Sequence, residues 1–231
     1  MNLFVMLGYI VAVNWFCLTV VWLVSVKIKD ASIIDIYWGI GFIVMAWACL
    51  LINHMHNPTS VSLSQWLINF MVTIWGFRLS LHLAIRNLGK GEDYRYVAMR
   101  KKSALDFRIF SYFRIFMFQG LLQIIVITPI LAMHYYPQEL GLGFFNYLGL
   151  ALWGVGIVYE TVADVQLVNF RSNPINQNAV LNSGLWRYSR HPNYFGDALQ
   201  WWAFFIFSLQ TGHYWGIIGP ILMMFIFLRL T

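Results

Sequence analysis

Apolar runs of about twenty residues, the length that crosses a bilayer as a helix, recur along this 231-residue chain and leave few architectures open. Hydrophobic residues make up 60% of it and charged ones 10%, with a mean hydropathy of +0.65. A soluble domain of this size carries roughly 25% charged residues, so the missing charge points to lipid as the solvent. Polar breaks divide the runs into helices expected near 3–26, 33–52, 65–85, 109–133, 144–168, 197–210 and 214–230. The expected fold is all-α and polytopic, a single membrane domain over 1–231 with about seven transmembrane helices. The first run lacks a basic leader and continues at full length, so it reads as a span and not as a cleaved signal. Cys17 and Cys49 both fall inside apolar runs, which suggests neither a disulfide framework nor a metal site.

Lys and Arg exceed Asp and Glu by 15 to 9. Outside the spans they fall only in alternate loops: Lys27 and Lys29; the cluster from Arg86 to Arg108; Arg171, Arg187 and Arg190; and Arg229. By the positive-inside rule these loops are cytoplasmic and the N-terminus is external. Topology therefore accounts for the basic excess, and nucleic acid has nothing to support it. Asn169–Phe195, the long non-apolar connection, is rich in Asn (169, 173, 176, 178, 182, 193) and in Tyr and Trp. Such a loop suits hydrogen bonding to a ligand, although an interfacial loop of amphipathic aromatics gives the same composition.

Seven ionisable residues lie within or at the edges of the spans: Asp35, Arg78, His82, Arg114, Glu160, Asp164 and Asp197. A central Asp, Lys or Arg costs roughly 2.5–3.5 kcal/mol on insertion scales, so these side chains are expected to face an interior. Glu160, Asp164 and Arg171 share one face of the fifth helix. Two readings fit the set. One is a hydrophilic cavity at the cytosolic side, with carboxylates accepting hydrogen bonds and arginines holding phosphates; the other is mutual neutralisation in structural ion pairs. His82, one turn beyond Arg78, reads either as a satisfied interior histidine or as a catalyst.

The sharpest motif is Gly184-Leu185-Trp186-Arg187-Tyr188-Ser189-Arg190-His191-Pro192-Asn193-Tyr194-Phe195-Gly196-Asp197. Pro192 and Gly196 punctuate a helix entry that Asp197 caps or complements, and Arg190 with His191 beside a helix N-terminus could hold a phosphate. This segment closely resembles the signature of the steroid 5-alpha-reductase and sterol C14-reductase families, and the C-terminal region 144–231 carries most of the likeness. Asp35-Ile36-Tyr37-Trp38-Gly39, Trp75-Gly76-Phe77-Arg78 and Arg86-Asn87-Leu88-Gly89-Lys90-Gly91-Glu92-Asp93 resemble the bacterial branch of that family, which implies a bacterial inner membrane.

The resemblance implies a seven-helix bundle whose cytosolic half encloses NADPH, a lipophilic small-molecule substrate drawn from membrane lipid, and a monomer. It matches Asp164, Arg171, Tyr188, Asn193 and Asp197 to cofactor-binding positions, places Glu160 where Asn is commoner, and matches Arg78 to an arginine of the third span. The implied activity is NADPH-dependent reduction of an enone-like C=C bond of a steroid or similar lipid. In the family a Gln-Glu pair on the second span and a Tyr on the third polarise the substrate carbonyl. Here Asp35 and Tyr37 stand in the first region and Trp75 in the second, so Tyr37 is the expected acid with Asp35 beside it and His82 in reserve. A C-terminal family stretch with a basic residue and a Tyr is absent from the chain. Membrane methyltransferases for isoprenylcysteine and phospholipid share the core Arg190-His191-Pro192-x-Tyr194-x-Gly196 and bind S-adenosylmethionine with it, which makes them the competing class.

Overall fold

The computed structural model describes residues 2–56, 61–136, 141–176 and 179–230, and among these it is helical with no strand. The helices are α1 (Leu3–Ile28), α2 (Ile33–His56), α3 (Leu63–Asn87), α4 (Tyr94–Lys102), α5 (Phe107–Ser111), α6 (Phe118–Val126), α7 (Thr128–Tyr135), α8 (Phe144–Ser172), α9 (Pro192–Ser208) and α10 (Ile218–Leu230). A π-helical turn, Tyr112–Met117, joins α5 to α6. Helices are the expected answer in lipid, where each backbone polar group needs a partner within its own segment. The chain is an integral multi-pass membrane protein. Five of its described helices are long and apolar enough to cross a bilayer: α1, α2, α3, Phe107–Val126 and α8. The other two expected spans are helical but shorter, α9 having 17 residues and the final apolar stretch running Trp215–Arg229.

Local chemistry sets several boundaries. Ser62 caps α3, its hydroxyl accepting from Gln65 N at 3.2 Å while the Gln65 side chain accepts from Ser62 N at 3.0 Å. The fourth apolar run is not one continuous helix: it ends at Ile127 because Pro129 cannot donate to the ladder and suits only the first turn of a new helix, α7. The 86–108 connection, read from sequence as a basic loop, contains α4. Asp93 starts that helix by accepting from Arg95 N at 2.9 Å, and Asp106 starts α5 in the same way.

Two compact units share the chain. The first comprises residues 1–127 and 133–140. In it α1 packs on α2 and α2 lies antiparallel to α3, while α1 also meets the π-helical turn and α6. The α2–α3 crossing is close because glycines face each other: a Cβ on Gly76 would stand 2.6 Å from the Gly39 carbonyl. Around it Phe42 makes edge contacts with Trp38 and Trp75. Buried amides tie the segments together, Asn14 Nδ2 donating to Gly120 O and Gln123 Nε2 to Trp38 O, each at 3.1 Å.

The second unit comprises residues 128–132 and 141–231. Its backbone is the antiparallel hairpin of α8 and α9, with α10 against α9. Gly149, Gly156 and Gly196 each sit where a side chain would collide with the opposite helix, at Phe207, Gln200 and Glu160 respectively. At the far end Asn146 Nδ2 donates to Phe207 O at 3.0 Å.

Gly76→Ala is expected to destabilise the detergent-solubilised protein by about 1–3 kcal/mol through overpacking, whereas Gly8→Ala, which meets open space, leaves the thermal midpoint unchanged or slightly raised. Parallel melting curves check the contrast.

Candidate functional site

In the second unit the carboxylates of α8 are brought together with the signature motif. Glu160 and Asp164 are 3% and 5% exposed, one turn apart on the face that α9 covers. Gly196 has its Cα against Glu160, and this absence of a side chain lets the first turns of α9 approach. Gln200 Nε2 then donates to Glu160 Oε2 at 2.7 Å, and Asn193 Nδ2 to Asp164 Oδ1 at 3.1 Å. Each amide spends a donor on a carboxylate and keeps its oxygen. Asn193 Oδ1 and Gln200 Oε1 are both buried without a hydrogen-bond partner. A buried acceptor left open costs about 1–3 kcal/mol, which a donor from a ligand would recover.

The connection between α8 and α9 folds back onto α8. Gly184, at φ +59, lies against Gln166, whose side chain accepts from Leu185 N at 2.9 Å, and Trp186 Nε1 donates to Ala163 O at 2.9 Å. The motif's Gly-Leu-Trp is therefore a clasp on the helix that carries Glu160 and Asp164. Pro192 opens α9, five residues earlier than the sequence reading placed it, and His191 is the residue at its N-cap. Asp197 consequently lies in the second turn, buried, and does not cap the helix. His191 stacks on Tyr194 at 5.1 Å between ring centroids, and Tyr194 on Phe227 at 5.0 Å. Arg171, Arg187 and Arg190 are exposed, and Tyr188 is 80% exposed, so these residues rim this end of the hairpin without being buried in it. Asn178 of the connection lies outside the described residues.

In the first unit Asp35 is not oriented toward Tyr37. Its two oxygens accept from Tyr96 OH at 2.6 Å and from Arg95 Nη2 at 2.7 Å, because positions 35 and 37 lie on different faces of a regular α2. Tyr96 is buried among Leu18, Ala31, Ile34, Ile115 and Phe116, and its oxygen also accepts from Gln119 Nε2 at 3.3 Å. Tyr37 borders the same cluster, its hydroxyl buried beside Cys17 without a hydrogen bond of normal geometry. Arg78 and His82 are half-buried on successive turns of α3. Arg114, expected to face an interior, is exposed, because the π-helical turn that carries it presents Ile115 and Phe116 inward instead. Sequence reading missed Tyr96; the signal was Asp93, an N-cap residue that makes a helix of the segment holding it.

The same α4 segment closes a collar around the α1–α2 turn. Arg100 grips Glu92 with Nη2 at 2.7 Å and Nε at 3.0 Å, and Glu92 Oε1 accepts from Ala31 N at 2.9 Å. Burial alone would raise the Glu92 pKa; the hydrogen bonds and charge of Arg100, with the Ala31 amide, outweigh it and hold the carboxyl below its ordinary value. Burial and the Asp35 charge push Tyr96 the other way, keeping the phenol protonated at neutral pH. A depressed carboxyl stabilises the fold above its unfolded pKa, and that stability is lost as pH falls through the folded value. Glu92→Gln should therefore cost about 1–3 kcal/mol at pH 7, and the gap to the wild type should close as pH drops below about 4. Thermal melts of both proteins across pH check this.

Comparison with known proteins places the chain. Residues 21–231 match the family described as protein of unknown function (DUF1295). Among curated proteins, "Uncharacterized protein C594.04c" of Schizosaccharomyces pombe is 28% identical over 211 residues, covering 82% of this chain. The alignment spans 60% of that relative's length. No solved structure matches. The chain thus belongs to the DUF1295 family, within the steroid 5-alpha-reductase-like membrane superfamily.

Proposed function

We propose that this protein is a membrane-embedded NADPH-dependent reductase that acts on an activated, enone-like C=C bond of a steroid or another lipophilic substrate. The observation that carries the reading is Asn193, which binds Asp164 with its amide nitrogen and keeps a buried acceptor unsatisfied. An acceptor of this kind, next to two buried carboxylates, suits the amide and ribose hydroxyl donors of a nicotinamide nucleotide. The exposed cations Arg171, Arg187 and Arg190, with His191 at the α9 N-terminus, suit its phosphates. The residues therefore fit the cofactor, with Asn193, Asp164, Glu160 and Asp197 on its polar groups. When bound, it would supply hydride; the protein's part is to hold it, exclude water and provide a proton donor.

For that donor we favour Tyr96 over Tyr37. A phenol stabilises a developing enolate oxygen by hydrogen bonding, and it acts best when its orientation is fixed beforehand. Asp35 and Gln119 fix Tyr96, whereas the Tyr37 hydroxyl, beside Cys17, has no hydrogen bond of normal geometry. Turning the Tyr96 O–H from Asp35 to a substrate carbonyl would move one donor, with the Gln119 amide still on the oxygen. Asp35 is then a positioning residue. The protein would work as a monomer in the bacterial inner membrane, with its basic loops cytoplasmic.

Calorimetry on the full chain should show micromolar or tighter NADPH binding and no binding of S-adenosylmethionine. Asn193→Ala should weaken NADPH roughly tenfold or more through loss of a buried polar contact, and Arg171→Ala should weaken it by a smaller, salt-dependent factor because that guanidinium is exposed. Binding of S-adenosylmethionine alone would replace this reading with methyl transfer. In single-turnover reduction of an accepted enone, Tyr96→Phe should lose about 100-fold in rate with NADPH affinity intact, while Tyr37→Phe should lose less than about fivefold. The opposite order returns the acid to Tyr37.

A further inference from the structure

We infer that the first unit holds the phosphate of an anionic membrane phospholipid in a cleft beside the end of α1. The cleft, about 290 Å³, is lined by Ser25, Val26, Lys29, Ala31, Arg100, Asp106, Phe107, Arg108 and Ser111. Three observations select its occupant.

The first is charge. Of the cations that line the cleft, Lys29, Arg100 and Arg108, Arg108 pairs with Asp106 of the same lining at 3.0 Å and Arg100 with Glu92, outside it, at 2.7 Å. One cation remains over, and the Lys29 ammonium makes no ion pair among the described residues. A single phosphodiester would neutralise it.

The second is preorganisation. Lys29 terminates α1 in the left-handed conformation, at φ 58, with its N–H bonded to Ser25 O, and its own carbonyl lies 3.5 Å from Arg100 Nη2. Arg100 is in turn fixed over the Phe107 ring at 3.9 Å. The hydroxyls of Ser25 and Ser111 donate to backbone carbonyls, so their oxygens remain as acceptors for a headgroup hydroxyl.

The third is depth, which separates a lipid from a soluble anion. Ser25, Val26 and Lys29 belong to the end of a membrane-crossing helix whose neighbouring Leu23, Val24 and Ile28 are 55%, 46% and 51% exposed. Acyl chains attached to a phosphate in the cleft have an apolar track to follow. Trp22, one turn earlier, donates its indole N–H to Arg108 O at 3.2 Å, an aromatic at the level expected of headgroups. Juxtamembrane cations of this kind draw anionic lipid.

The test uses the full chain in neutral detergent, titrated with phosphatidylglycerol, phosphatidylcholine or glycerol 3-phosphate, and read by native mass spectrometry and thermal midpoint. Phosphatidylglycerol should be retained at one molecule per chain and should raise the midpoint; the other two should do neither. Lys29→Gln should weaken retention at least fivefold and Lys29→Arg should restore it, whereas the double variant Lys101→Gln, Lys102→Gln, which removes two exposed α4 cations outside the cleft, should change it less than twofold. Equal binding of phosphatidylcholine would overturn the proposal, and so would stabilisation by glycerol 3-phosphate. An equal loss in the Lys101/Lys102 variant would reduce the effect to diffuse surface charge, and a Lys29→Arg variant that fails to rescue would remove the phosphate from Lys29.

Discussion

Two carboxylates buried on a membrane-crossing helix are the constraint from which the second unit follows. Glu160 and Asp164 cannot face lipid, and α9 meets them with amides rather than with guanidinium groups. The choice matters energetically. An arginine partner would neutralise a carboxylate and close the site, while a carboxamide offers a donor and carries an oxygen that stays open. Gly196 makes the arrangement possible by letting α9 come against Glu160, and the Gly184–Trp186 clasp holds the connecting segment on the same helix.

The first unit solves a similar problem differently. Asp35 receives both a phenol and a guanidinium, and Glu92 receives Arg100 and a backbone amide, so these acids are saturated. Their work is to fasten α4 over the α1–α2 turn. That fastening places Tyr96 in an apolar cluster with its hydroxyl fixed, and it leaves Lys29 without an ion pair among the described residues. Acids with partners on both oxygens hold the first unit together, whereas an open amide oxygen marks the candidate cofactor site of the second.

Much of this was legible in the residues. Long apolar runs and their polar breaks gave α1, α2, α3 and α8 to within a few positions, because in lipid the helix is the available solution. The motif from Gly184 to Asp197 marked the segment that closes on α8. What could not be read were features that depend on three-dimensional partners. Pro192 starts α9 five residues before the expected position, and Gly196 proves to be a packing contact instead of a punctuation mark. Pro129 cuts the fourth apolar run, which hydropathy alone counts as continuous. Asp35 and Tyr37, close in sequence, point apart, while Tyr96, about sixty positions on, is the partner that Asp35 receives.

The central claim is that the polar face of the α8–α9 hairpin serves hydride transfer. The most direct measurement is isotopic. The full chain is incubated in detergent with an α,β-unsaturated ketone of sterol size and NADPH deuterated at the transferable C4 position, and the product is analysed by mass spectrometry. The account predicts one deuterium on the former β carbon of the saturated ketone. Label left in the nucleotide, together with transfer of a labelled methyl group from S-adenosylmethionine to a lipid acceptor, would contradict it.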